Sequence, residues 1–298
     1  MINLGIVSLE STHVDAFCRV FNSDSTDPWH LEGAQVVALC SQDNAAERIR
    51  ELQDTYRIET VLTEPRDLAS LVDAALVLGR DGSRHLEQSA PFLEAGNPCF
   101  VDKPLALTVD DATAMVNLAM DSGAPLMSAS GLRYADELAA ALEEIGEEEV
   151  IHASLVGPGE LYFYGIHLTD VLSAVMGPGV QCVSNLAEPG FDLLSVSFGD
   201  GRSASLQLLR EAKGYHSGEL FTVEGSVRFV VDENIFYRRT MESFLAMVET
   251  GEPPIMYEDM IECIAVLVAA DISASQGGRA VRLAEIRPGR EKMLPSLS

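Results

Sequence analysis

The chain has 298 residues, room for two ordinary domains, and carries 46 Asp and Glu against 20 Lys and Arg for a formal net charge of −26. A surface of that sign repels nucleic acid and anionic membranes, so neither is expected as a partner. No apolar run reaches the ~18 residues of a membrane span, and the opening MINLGIVSLEST has no basic segment or small-residue cleavage site, which predicts a cytoplasmic protein.

Excess negative charge opposes compaction unless salt screens it, so the acidity fits salt adaptation and a simply acidic surface equally well. The cysteines Cys18, Cys40, Cys99, Cys182 and Cys263 fall singly in apolar surroundings. With no CxxC pair and no Cys/His spacing, they read as buried free thiols rather than a disulfide framework or a metal site.

Taken in chain order, residues 1–126 alternate short apolar runs with amphipathic stretches: INLGIVSL, THVDAFCRVFN, AQVVALCS, NAAERIRELQDTY, ALVLG, HLEQSAPFLEAG, PCFVDKPL, DDATAMVNLAMDSG and APLMSAS. That alternation predicts an α/β, Rossmann-like, doubly wound parallel sheet. Unbroken apolar runs at 36–40 and 76–78 suit strands buried on both faces. Gly96 reads as a helix C-cap, and Asp110 and Asp111 open the next helix. From residue 127 the runs lengthen and alternate, in VIHASLV, QCVSNLAE, LLSVSFGDGRSASLQLLR and ELFTVEGSVRFVVDENIFYRR. They predict a C-terminal α+β domain over 127–298 with a large, mostly antiparallel open sheet, and Asp200-Gly201 marks a hairpin within it. Amphipathic helices over 240–249 and 257–276 close the chain, the second entered after Pro253-Pro254 and left at Gly277-Gly278.

Four landmarks then stand in order: Asp102-Lys103-Pro104 after the fifth predicted strand, Arg133-Tyr134 in SASGLRYADEL, Gly165, His167 and Asp170 in YGIHLTDVLSAVMG, and the closing YEDMIECIAVLVAADISASQGGRAVRL. Together they resemble the glucose-fructose oxidoreductase / inositol dehydrogenase / MocA (Gfo/Idh/MocA) family over nearly the whole chain. The resemblance implies hydride transfer between NAD or NADP and a hydroxyl of a sugar, polyol or related small molecule. It also implies a homodimer or homotetramer formed through the C-terminal sheet. It places Lys103 beside the nicotinamide and the reacting hydroxyl, where burial and a cationic ring lower an ammonium pKa toward neutrality. His167 becomes the second proton-transfer group, with Arg133, Tyr164 and Asp170 as substrate contacts. Ser8, Leu9, Ser11, Thr12, Ser41, Gly79, Arg80 and Asp102 become cofactor contacts. The alternative for Lys103 is a strand-end surface cation. The resemblance puts Gly165, His167 and Asp170 at the start of a helix, and the alternative for His167 is a core or helix-start histidine hydrogen-bonded to Asp170, while His85 reads as a packing group.

Three departures cut against the pattern. The glycine-rich turn that lets backbone amides approach a pyrophosphate has Ser8, Glu10 and His13 at its glycine positions, in GIVSLESTHVDAF. A Glu10 charge about 4 Å from a phosphate costs roughly 1 kcal/mol in water and about 4 at intermediate dielectric. Ser8, Ser11, Thr12 and a protonated His13 offset part of that. After the second strand, Ser41-Gln42 replaces the acidic residue expected to hold the ribose, which admits NADP as readily as NAD, although no Arg stands at 41–44. Phe163 stands four residues before His167, where the family often has an Asp that orients the histidine. Three readings follow: an NAD(P)-dependent oxidoreductase, a nicotinamide-dependent glycosidase, or a sensing or interaction protein on an emptied dinucleotide fold.

Overall fold

The computed structural model describes residues 1–43, 45–214, 216–232 and 235–286. The first half runs β1 (Ile2–Val7), α1 (His13–Asn22), β2 (Ala34–Cys40), α2 (Ala46–Tyr56), β3 (Thr60–Leu62), α3 (Pro65–Ala69), β4 (Ala74–Val77), α4 (His85–Glu94), β5 (Cys99–Val101), α5 (Val109–Ser122) and β6 (Leu126–Met127). Its six strands lie in the order β3-β2-β1-β4-β5-β6, and every pair is parallel. Helices cover both faces, so β4 and β5 are buried at every position and need unbroken apolar sequence. Strand order reverses between β1 and β4, and at such a switch point the strand C-termini open a crevice.

The second half continues α6 (Asp136–Ile145), β7 (His152–Pro158), α7 (Leu161–Met176), β8 (Val180–Glu188), β9 (Phe191–Phe198), β10 (Ser203–Leu209), β11 (Ser217–Phe221), β12 (Ser226–Val230), α8 (Phe236–Thr250), α9 (Tyr257–Ser275) and β13 (Val281–Arg282). Its seven-stranded sheet has the order β12-β11-β7-β10-β9-β8-β13. Only the β7–β10 pair is parallel; the other pairs are antiparallel. Burial alternates along β9 and β10, with Leu194, Val196, Leu206 and Leu208 turned inward under α7 and α9. The Asp200-Gly201 pair sits in the turn joining β9 to β10, with Gly201 at φ 97.

Two boundaries differ from the sequence expectation. Helix α8 starts at Phe236 rather than 240, because Phe236 and Tyr237 pack as a T-shaped pair and Tyr237 meets Phe17 of α1 edge-on. This tertiary contact extends the helix past what its local polarity pattern specifies. Helix α7 starts at Leu161, so His167 and Asp170 lie inside it rather than at its start. The C-terminal helices also stitch the halves together: Phe100 of β5 packs on Phe244 of α8, and the backbone N–H of Leu126 donates to the Tyr257 hydroxyl at 3.3 Å. Among the described residues no helix is long and apolar enough to cross a membrane. The five cysteines are free thiols, all buried except the half-buried Cys182.

Candidate active site

At the switch point a cavity of about 470 Å³ opens between the two sheets. Its walls come from the β1–α1 turn, the segments after β4, β5 and β6, the start of α7, and Phe236 and Tyr237 of α8. Gly131 makes the closure by α8 possible, since a Cβ there would stand 2.1 Å from the Phe236 ring.

The centre of the wall is Asp102-Lys103, directly after β5. Lys103 is 7% exposed, and its Nζ lies 4.3 Å from the centre of the Phe163 ring. Burial pushes the Lys103 ammonium below its ordinary range; Asp102 opposes that shift and Arg80 adds to it. Asp102 accepts the Lys103 backbone N–H at 2.8 Å and pairs with His13 Nδ1 at 2.6 Å. Its burial opposes the charge, but His13 and Lys103 outweigh burial and hold the carboxyl below its ordinary range.

His167 reaches the cavity from α7, and its Nδ1 lies 2.6 Å from Ser130 Oγ, which also accepts the Leu132 N–H at 3.1 Å. Burial, then the Lys103 ammonium, hold His167 well below the ordinary imidazole range. Asp170 is turned away from His167: it accepts the Ser130 N–H at 2.7 Å and pairs with Arg133 at 3.3 Å. Burial raises its pKa against that pairing. Beside His167, with ring centroids 5.4 Å apart, stands His216, whose two ring nitrogens are buried without a hydrogen-bond partner. It fits because Gly157 of β7 has no side chain; a Cβ there would lie 2.7 Å from the His216 ring. Burial, then Lys103, push its pKa down to about 4.

Of the sequence-selected residues, Ser11, Thr12, Arg80, Asp102, Lys103, Tyr164 and His167 line the cavity. Ser8 lies behind the turn at φ 66, the left-handed region that favours glycine, and its hydroxyl accepts from Gln88 at 2.8 Å. Leu9 is a core side chain, and its carbonyl accepts from Arg48. Ser41 bonds to the Asp43 carbonyl, and the Gly79 carbonyl meets His85 Nε2. Arg133 and Asp170 pair with each other behind the wall and carry it rather than face the cavity. His85 is fully buried and bonded at both nitrogens to backbone carbonyls, the packing role expected of it.

The frame for a dinucleotide is retained. Helix α1 begins at the crevice with no cap from the Thr12 side chain, and its first N–H groups turn inward to the preceding residues: His13 N–H donates to Ser11 Oγ at 3.1 Å and Val14 N–H to the Ser11 carbonyl at 3.2 Å. One side chain opposes an anion there: Glu10 Oε1 accepts the Arg80 backbone N–H at 3.0 Å, bridging the turn to the loop after β4. Arg84, from that loop, donates to Gln42 at 2.9 Å and pairs with Asp43 at 3.4 Å beyond β2. Sequence reading missed Arg84, His216 and the His13–Asp102 pair. The last two have no local motif, and His13 and Asp102 lie 89 residues apart in the chain.

Comparison with known proteins fits this arrangement. The sequence model of an oxidoreductase family with an NAD-binding Rossmann fold (Gfo/Idh/MocA) matches residues 18–130. An inositol 2-dehydrogenase from Pseudomonas syringae is 32% identical over 155 residues, covering 48% of this chain and 45% of that protein. A D-apiose dehydrogenase from Paraburkholderia graminis is 29% identical over 140 residues, covering 43% of this chain and 36% of its own. The match thus spans less than half the length of these curated relatives. Among solved structures, scyllo-inositol dehydrogenase from Lactobacillus casei, with bound NAD(H) and scyllo-inositol, superposes with a TM-score of 0.81 at 16% identity, covering 95% of this chain and 99% of that one. Myo-inositol 2-dehydrogenase from Lactobacillus plantarum gives 0.81 at 18% identity over 94% and 99%. At these identities the superpositions establish a shared fold.

Proposed function

The chain belongs to the Gfo/Idh/MocA family of oxidoreductases, and from that premise we propose that it is an NAD(P)-dependent dehydrogenase acting on a hydroxyl group of a small molecule. The observation that carries the reading is the buried Lys103 ammonium, facing His167 across a cavity at the C-terminal edge of the parallel sheet.

A bound nicotinamide ring would accept the hydride; the chain's own groups bind, orient and move the proton. Ser11 and Thr12, at the start of α1, would hold the phosphates, and Arg80 and Asp102 would stand on the nicotinamide side. A depressed ammonium exchanges a proton more readily at neutral pH, which suits Lys103 to polarise the hydroxyl. His167, with Nδ1–H donated to Ser130, presents Nε2 as the proton acceptor. Ser130 takes over the orienting work that a carboxylate at position 163 would do. Gln42, Asp43 and Arg84 border the ribose end, where either NAD or NADP is accommodated.

The outer face of the C-terminal sheet supports a homo-oligomer. Ser184, Ser195, Ser205 and Ser154 form one row across β8, β9, β10 and β7, flanked by Leu193 and Gln207. No charge stands among these six on a chain of net −26, and the next residue of the row, Glu219 of β11, is paired with Arg228 of β12 at 3.0 Å, so a second copy would meet little repulsion there.

One observation favours a second reading, a dinucleotide-free sensing or interaction protein: the Glu10 carboxylate already occupies the amide that faces the crevice. The test is reduction of NAD and NADP by a panel of sugars, polyols and hydroxy acids, with Lys103→Met alongside. The oxidoreductase reading predicts turnover with at least one compound, lowered roughly 10²- to 10⁴-fold in the variant while NAD(P)H still binds. Turnover unchanged by Lys103→Met would sink it.

A further inference from the structure

Two cations converge on one aromatic ring. The Phe163 ring has the Lys103 ammonium 4.3 Å and the Arg80 guanidinium 5.3 Å from its centre. Neither charged head forms an ion pair with an acidic side chain among the described residues, in a chain whose acids outnumber its bases 46 to 20. The acids of the same wall are committed elsewhere, Asp102 to His13 and to the Lys103 N–H, and Glu10 to the Arg80 N–H. A ring face attracts cations, but it replaces little of the water that a 7%-exposed ammonium has lost. The nearby His216, 6% exposed, also has two nitrogens to satisfy. The cavity is thus short of one anion and of hydrogen-bonding partners beside it.

We propose that this site takes a hydroxylated carboxylate, a sugar acid or another hydroxy acid, whose carboxylate lies between Lys103 and Arg80 and supplies the anion that the side chain at 163 does not. The proposal rests on the oxidoreductase reading for its chemistry. With the carboxylate so placed, the hydroxyl on a neighbouring carbon faces His167. Its proton passes to His167 Nε2, the carbon-bound hydrogen leaves with its electron pair to oxidised nicotinamide dinucleotide, and the C–O bond becomes a carbonyl. Remaining hydroxyls meet His216, a neutral imidazole with one donor and one acceptor. A neutral polyol would leave the Lys103 charge uncompensated, so charge selects between the two substrate classes.

Calorimetric titration tests this with D-gluconate, D-glucuronate and malate against myo-inositol and D-glucose, on the protein with NADH or NADPH added. The variants are Phe163→Asp, which supplies the carboxylate, and Phe163→Leu, which removes the ring without adding charge; thermal melts confirm that each folds. The expected result is a carboxylate bound at least ~10-fold more tightly than either neutral compound, a preference kept in Phe163→Leu and reversed by roughly tenfold or more in Phe163→Asp. Dinucleotide affinity should stay within about twofold throughout. Tighter binding of inositol or glucose by the native protein overturns the proposal and leaves the oxidoreductase reading standing, as does dinucleotide binding with no carboxylate bound. Loss of dinucleotide affinity in Phe163→Asp with carboxylate binding unchanged also overturns it, and assigns the two cations to the cofactor's phosphates. Selective carboxylate binding without any dinucleotide binding would keep the substrate class and sink the oxidoreductase reading.

Discussion

His216 shows what burial without a partner does to a single residue. Its pKa is pushed down to about 4 by burial and by Lys103, and His167 is likewise depressed. Both groups are harder to protonate in the folded chain than in the unfolded one, so the unfolded chain binds more protons between ~6.5 and ~4. The stability from keeping them neutral is therefore present above about pH 6.5 and is lost as pH falls through that window. A shift of the size seen at His216 is worth about 3 kcal/mol at most. Denaturant unfolding at about pH 7 and about pH 4.5 should show that His216→Phe removes a large part of the acid loss; an unchanged difference between the two pH values would contradict the assignment. Asp102-Lys103-Pro104 and the Gly165–His167–Asp170 spacing were legible in the sequence because each is a contiguous motif. Ser130 as the partner of His167 was not, since only the fold brings the segment after β6 against α7. Asp170 reads from the sequence as a site residue, yet it is committed to Arg133 and the Ser130 N–H, because a carboxylate buried at that depth needs a charge and a donor of its own.

At the scale of elements, the parallel sheet was readable because buried strands require unbroken apolar runs, and β2 and β4 have them. The hairpin between β9 and β10 was readable from Asp200-Gly201. The start of α8 was not, because Phe236 and Tyr237 are held by α1 and by the segment after β6 rather than by a helical pattern. The β1–α1 turn is the most instructive element. Ser8 adopts a glycine-like φ of 66 and Glu10 fills the crevice side, so the turn keeps its path with none of its three glycine positions occupied by glycine. The cation missing from 41–44 is supplied instead by Arg84, 42 residues along the chain from Gln42. If Arg84 reads a 2′-phosphate, Arg84→Ala should weaken NADPH binding roughly tenfold or more while leaving NADH nearly unchanged. Equal losses for the two would mean that Arg84 only braces the segment after β2.

Across the whole molecule, charge is distributed unevenly. The chain is strongly acidic, yet the row Ser184–Ser195–Ser205–Ser154 crosses β8, β9, β10 and β7 without a charge before it meets the Glu219–Arg228 pair on β11 and β12. If that face meets a second copy, Ser205→Glu places like charges opposite each other, and light scattering should show a smaller species at low salt than the native chain. An unchanged mass would exclude that face as the interface. Composition alone gave the net charge but not this exception to it, which depends on strand register.

The most direct test of the central claim is calorimetric titration of the native chain and of Glu10→Gly with NAD, NADH, NADP and NADPH, after any co-purified nucleotide has been removed. The account predicts that the native chain binds at least one of the four. It also predicts that Glu10→Gly tightens this binding by roughly tenfold to a thousandfold, because a carboxylate leaves the amide and the space that the phosphates need. Failure of both proteins to bind any of them at about millimolar concentration, ~4 kcal/mol of affinity, would contradict the assignment as a nicotinamide-dependent oxidoreductase.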